Sequence, residues 1–282
     1  MTATDTHNPT LTEITARTIL DSITADGHRL TTVEVTFPRI ILAEWNTHRD
    51  FSRNSESSRA VPLNKRIARV INDPFIPYTW PHEQPGMQGG DSLSPRERQD
   101  AIRAWLSARN DAVAAAQALG DLGVHKSIPN RLLEPFSWHT VITTSTRWEN
   151  FFAQRISHLA EPHFNIAANA VYSALSASTP QLLAPGQWHT PFIQPDEQHL
   201  PLITRLKLST ARSARVSYLT HDGKRDHEAD LKLFDRLRNP GDGPPHWSPF
   251  EHVARPVELP DDHTRLANFD GWVQLRHDLN GL

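Results

Sequence analysis

The chain has 282 residues, 38% hydrophobic and 22% charged, with a formal net charge of −3. That length allows a full core in one large domain or two intimate lobes, and the slight acidity argues against a general electrostatic grip on nucleic acid, so an anion site has to be a local basic cluster. With no cysteine, disulfides, thiolate metal sites and a cysteine nucleophile are excluded. No secretory signal and no apolar run of membrane-spanning length is evident, so the expected location is cytoplasmic and off the membrane.

Residues 1–12 are polar and threonine-rich, the composition of a loose end. In Leu30–Phe37 the alternation of Val33, Val35 and Phe37 predicts a half-buried strand. Pro38 breaks it and can open a helix through Ile40–Trp45. The fifteen residues from Trp45 to Arg59 then hold three arginines, one histidine and four serines. Serine and asparagine compete with the helical backbone for hydrogen bonds, so a helix is expected to give way to a loop here. Hydroxyls and backbone N–H groups beside guanidinium forks suit a phosphate or another anion; a solvated charged surface has the same composition.

A short helix is expected around Lys65–Ile71, then a loop rich in proline that carries Phe75, Tyr78, Trp80 and His82. These rings suit either a lid over a flat ligand or packing beneath a long loop, the simpler of the two. Ser94-Pro95-Arg96-Glu97 is a capping box, and the helix after it places Ile102, Trp105, Leu106, Val113, Ala116 and Leu119 on one stripe before stopping near Gly120–Gly123. The β-branched run Thr140–Thr144 leads into a helix over Arg147–Arg155. There Trp148, Phe151, Phe152, Ile156 and Leu159 recur at helical spacing and are expected in the core. Arg155 lies four residues beyond Phe151, beside that apolar face, where an arginine needs a partner; its planar fork can hold the O2/N3 edge of a pyrimidine. Another helix is expected over residues 163–177 with Phe164, Ala167, Val171, Ala174 and Leu175 inward. The Pro/Gly-rich segment 179–201 follows as a connector between lobes 1–178 and 202–282. Beyond it, Ser213-Ala214-Arg215-Val216-Ser217-Tyr218 has strand character, Asp226 caps a helix with Leu231, Phe234 and Leu237, and residues 241–245 lead to His246-Trp247-Ser248-Pro249-Phe250-Glu251-His252-Val253.

His48-Arg49, seven residues, then Ser57, with Asn54 before that serine and Arg59 after it, resembles the Arg-His-Arg, seven residues, Ser signature of flavin-dependent thymidylate synthases. The stretch Gly123–Pro135 resembles the family's helix whose arginine reaches the nucleotide phosphate, with Arg131 on that arginine. Asn150–Arg155 resembles its Asn/His-Phe…Leu-Arg, and Ala214–Ser217 its Ala-Arg-Val-Ser. His246–His252 matches its His-x-Ser/Thr-Pro-Phe-Glu-His. In the family the last two motifs precede the arginine-rich signature and here they follow it, so the motif order is circularly permuted. Trp272–His277 is a fainter echo of the family's Gln-Trp-x-Arg-His.

What the resemblance implies is an α+β fold, with long helices on a small mixed or antiparallel sheet and one site completed by both lobes. It implies a homotetrameric flavoprotein that carries one carbon from methylenetetrahydrofolate to C5 of dUMP, using FAD and NADPH. Arg155 would be the catalytic group and hold the uracil edge. Glu44, Ser57, Arg59 and Arg131 would bind the nucleotide, and His48, Arg49, Asn150, Ser217, His246, Ser248 and Glu251 the flavin. No metal is implied. Thr47 stands where the family has an arginine, Ser55 where it has a glutamate, and Glu44 where it has a glutamine. These changes of charge keep a dUMP or dCMP hydroxymethylase open as an alternative. A histidine-based metal hydrolase lacks any His-Glu-x-x-His spacing, and a non-catalytic nucleotide- or RNA-binding module sits poorly with the acidity.

Overall fold

In the computed structural model, which describes residues 12–218, 225–259, 262 and 266–279, the chain opens with an antiparallel pair. Strands β1 (Thr15–Ile23) and β2 (Arg29–Pro38) turn at Gly27, whose φ of 87° is left-handed and free of cost only without a Cβ. After α1 (Leu42–Trp45) comes the short strand β3 (Ser52–Ser55), then α2 (Leu63–Asn72), the long α3 (Pro95–Asp121) and the single turn α4 (Pro129–Leu132). Strand β4 (Trp138–Ser145), α5 (Glu149–Arg155) and α6 (Pro162–Ser176) follow, then β5 (Gln181–Leu182). Helices α7 (Leu202–Ala214) and α8 (His227–Arg238) precede a small hairpin of β6 (Ala254–Pro256) and β7 (Trp272–Gln274).

The main sheet has the order β3-β4-β2-β1-β5 and is antiparallel except where β5 joins β1, so the fold is α+β with a small mixed sheet, as expected. Its two faces differ in chemistry because side chains alternate along each strand. Val33, Val35, Phe37 and Val141 bury against Phe164, Ala167, Ala168 and Val171 of α6. The opposite face carries Thr32 paired with Thr144, Glu34 with Ile142 and Thr36 with Thr140, and β3 extends it with Ser52 and Asn54. This hydroxyl-rich face is what the C-terminal segments cover.

Those segments form their own core from Leu206, Ala211, Phe234, Phe250, Val253 and Leu275. The connector 179–201 is built into the fold. It supplies β5, and its His189 is fully buried, pairing with Ala254 through the backbone. Of the rings in the 74–82 loop, Phe75 packs as expected, buried against Trp105, Trp138 and His163, and Trp80 packs on Trp105, whereas Tyr78 and His82 are exposed.

Four expectations need correction. Residues 213–218 are no strand: α7 runs to Ala214 and a 3-10 turn covers Arg215–Tyr218. Thr210 and Ser213 donate to carbonyls within α7, Ser209 donates to the carbonyl of Pro191, and buried Arg212 ties α7 to Glu197 and Asp230. Residues 52–55 form a strand because β4 offers its edge. The helix over 123–135 is only α4 and a 3-10 turn at Glu134–Phe136, between Pro129 and Pro135. Ile156 and Leu159 are exposed, at 36% and 61%, because α5 ends at Arg155.

Candidate functional site

Asn54 is the meeting point of three distant segments. Projecting from β3 onto the polar face, it donates from Nδ2 to the carbonyl of Ser213 and accepts from Ser248 Oγ, both at 2.8 Å. Those partners lie 159 and 194 residues away along the chain. Ser213 directly precedes the Ala-Arg-Val-Ser stretch of Ala214–Ser217, and Ser248 starts the 3-10 turn Ser248–Glu251. Next to it Ser52 accepts from Gln274 Nε2 at 3.1 Å. Glu251 pairs with Arg276. Arg53, on the other face, donates to the carbonyls of Trp45, Asn46 and His48 and so fixes the turn before β3.

At that turn stands the first cluster. His48 is packed among the rings of Phe51, Phe151 and Phe164. Burial above all, with the nearby Arg155 and Arg53 charges, pushes its pKa down to about 4, so the ring is neutral at pH 7 and acts as an acceptor. Arg155 donates from Nε to His48 Nε2 at 3.0 Å and lies over the Phe164 ring at 4.4 Å. Its Nη1 is 3.8 Å from Glu44, whose carboxyl is raised by burial and by Glu161 against the opposing effect of Arg155. The guanidinium is thus partnered and partly buried, as its place beside the apolar face of α5 predicts. A cavity of about 220 Å³ adjoins, lined by His48, Arg49, Asp50, Arg147 and Asn150 among others. Arg147 is held by Asp270 and Asp50, whereas Arg49 has no ion pair among the described residues.

The second cluster follows β3. Asn130 Nδ2 donates to the carbonyls of Ser58 and Val61, fastening the Ser57–Arg59 loop to α4, which carries Arg131. Arg59 and Arg131 are exposed and have no carboxylate partner among the described residues. Arg39 donates to Glu134 at 3.1 Å and to the Glu56 carbonyl at 3.3 Å, and lies close enough to Arg131 for the two charges to repel. A cavity of about 440 Å³ opens here on the polar face, with Glu56, Arg66, Arg69, Trp138, Thr140 and Val216 in its wall. Glu56 Oε1 accepts from Arg66 at 2.9 Å and Arg69 at 3.3 Å. Sequence reasoning missed Arg66 and Arg69; their signal was a pair of cations three apart on a short amphipathic helix.

Among the described residues no hydrogen bond or ion pair joins the two clusters. His246 is exposed, its backbone N–H bonded to the Leu237 carbonyl. The side chain of Ser217 lies outside the described residues. Among the described residues no group of three His, Asp or Glu side chains is placed to hold a metal ion, and no helix is long and apolar enough to cross a membrane.

No family model and no curated protein matches the chain. Among solved structures it is similar to a UMP/dUMP methylase, PolB from Streptomyces cacaoi, bound with 5-Br UMP, at 17% identity and a TM-score of 0.49 over 58% of this chain and 89% of that one. The same enzyme bound with 5-Br dUMP gives 16% identity and a TM-score of 0.47 over 59% and 91%. A likeness of this size transfers neither family membership nor activity to this chain.

Proposed function

We propose that the chain is a flavin-dependent enzyme that transfers one carbon from methylenetetrahydrofolate to C5 of dUMP, with NADPH supplying electrons. The observation that supports this most is Asn54. It belongs to the arginine-rich signature and is bonded at once to Ser213, the residue before the Ala-Arg-Val-Ser motif, and to Ser248 of the His-x-Ser-Pro-Phe-Glu motif. Segments that sequence order scatters meet at one side chain, which is what a permuted chain rebuilding a single site requires.

In this reading Arg155 grips O2 and N3 of the uracil and stabilises negative charge as C5 becomes nucleophilic. Its contacts with neutral His48 and with Glu44 orient the fork. Ser57, Arg59 and Arg131 take the phosphate, which suits two exposed guanidiniums that have no carboxylate partner among the described residues. For FAD, Arg49, without an ion pair among the described residues, and the amide of Asn150 line one cavity beside His48, a donor set that fits an anionic diphosphate. His246 and Ser217 are assigned to the flavin by the resemblance of their motifs alone. Ser248 and Glu251, bonded to Asn54 and Arg276, act by holding the motif in place. When bound, the flavin supplies the hydride chemistry. A homotetramer with shared sites is part of the proposal.

One observation favours a hydroxymethylase as the second reading: the Glu44 carboxylate, only 3.8 Å from Arg155, adds charge and hydration beside the reacting ring. The test is to supply flavin, NADPH, methylenetetrahydrofolate and dUMP or dCMP and weigh the nucleotide product. A methyl mass increment supports the first reading and a hydroxymethyl increment the second. A colourless protein that makes neither product leaves a nucleotide-binding module.

A further inference from the structure

A line of buried polar side chains crosses the sheet beneath the Asn54 junction and has no part in binding as described so far. Ser22 Oγ is 2.8 Å from His189 Nδ1, and His189 Nε2 is 2.8 Å from Thr32 Oγ. Thr32 Oγ is 2.7 Å from Thr144 Oγ, which is 2.7 Å from His252 Nδ1. All five residues are buried to full exclusion of solvent. The line ends on His252 Nε2, a buried atom with no hydrogen-bond partner among the described residues. Ser22, at the other end, lines a separate cavity of about 410 Å³ with Gln181, Gln187, Thr190 and Arg205. His252 follows Glu251 directly, and Thr144 pairs with Ser52, two residues from Asn54 on the same face.

Counting protons restricts what this line can do. Each threonine hydroxyl has one proton to give and takes part in two of the bonds. The three bonds from His189 to His252 need three protons: one from each threonine, and one from either His189 Nε2 or His252 Nδ1. With neutral rings, both histidines therefore carry their proton on Nδ1 or both carry it on Nε2, and a mixed pair breaks a bond. Burial holds each ring's pKa down to about 3, so neutrality at pH 7 is secure.

We propose that Ser22, His189, Thr32, Thr144 and His252 form a proton relay that joins the motif junction to the cavity beside Ser22. With both protons on Nδ1, His252 Nε2 accepts a proton and its Nδ1–H passes to Thr144. Thr144 gives its own to Thr32, Thr32 to His189 Nε2, and His189 Nδ1–H goes to Ser22, whose hydroxyl proton leaves on the side of the cavity that Ser22 lines once that wall opens to water. One proton enters, one leaves, no charge stays behind, and both rings end in the Nε2–H form. The proton to be removed is the one displaced from C5 when carbon is attached, and in that respect alone the relay rests on the proposed reaction.

The test has two arms. In the full chain with ¹⁵N-labelled histidine at pH 7, His189 and His252 are expected to be neutral and of the same tautomer. Opposite tautomers, or a cationic ring at either position, overturn the relay. In turnover, Thr144→Ser keeps the hydroxyl and is expected to stay near the unmodified rate, while Thr144→Val is expected to lose on the order of 10²-fold. Equal rates for the two, both folded, overturn it as well. If the unmodified chain makes no nucleotide product, the proposed reaction fails on that count, and the relay is judged on the labelled protein alone.

Discussion

Replacing Asn54 with alanine tests whether the junction holds the motifs together. The substitution removes two hydrogen bonds of 2.8 Å and leaves the Ser213 carbonyl and the Ser248 hydroxyl without their partner. Two such bonds are together worth about 2 kcal/mol, and an unsatisfied, partly buried acceptor raises the cost to about 3 kcal/mol. For a chain of this size that loss lowers Tm by roughly 6–9 °C, taking about 2–3 °C per kcal/mol. Urea unfolding of Asn54→Ala, Ser248→Ala and the double variant separates the pair from the rest. A coupling of about 1 kcal/mol between the two sites is expected. Additive losses, with no coupling beyond error, would refute the contact and with it the argument that the motifs share a site.

Arg155→Lys keeps one charge but loses the planar fork that reaches His48 and Thr47; turnover should fall on the order of 10²-fold with flavin content unchanged, measured by single-turnover product formation and absorbance. Glu251→Ala, which unpairs Arg276, and His246→Ala should each lower flavin retained through gel filtration, and full occupancy in both would remove the motif from the flavin site. Stability should also fall as the pH drops below about 6.5, because the unfolded chain takes up protons there that His189 and His252, with pKa near 3, refuse when folded. Two such groups give a slope of about 1.4 kcal/mol per pH unit at that point, rising toward about 3 kcal/mol per unit a pH unit lower, and His48 and His139 act in the same direction. Thermal melts from pH 8 to pH 5 check this, and a flat profile would count against the buried neutral rings.

How much was legible followed from how local the cause was. Val33, Val35 and Phe37 announce β2 by their alternation, Ser94 and Glu97 announce α3 by a capping box that forms as written, and Asp226 caps α8 through Ala229. Arg155 was legible too, since its place beside Phe151 requires a partner. β3 was not, because Ser-Arg-Asn-Ser has no strand signal of its own and extends only against β4. The strand character read into residues 213–218 lost to the ion pairs of Arg212 and Arg215 with Asp230, which no local pattern shows. His189 was hidden in a proline-rich connector, and nothing near it in sequence indicates that it bonds Ser22 and Thr32.

The hydroxyl-lined side of the sheet also has a bearing on how the chain folds during synthesis. Its closing bonds span very long stretches: 222 residues from Ser52 to Gln274 and 244 from His28 to Trp272. Such closures are slow, and none can form until the ribosome has released the last strand. In the interval β2 and β4 already have α6 against their greasy side, and what waits uncovered is, apart from Leu30 and Ile142, the polar set Thr32, Thr36, Thr140, Thr144, Ser52 and Asn54, which water solvates well. A nascent chain waiting with that surface outward has little to stick with, so late docking need not be fast to be safe.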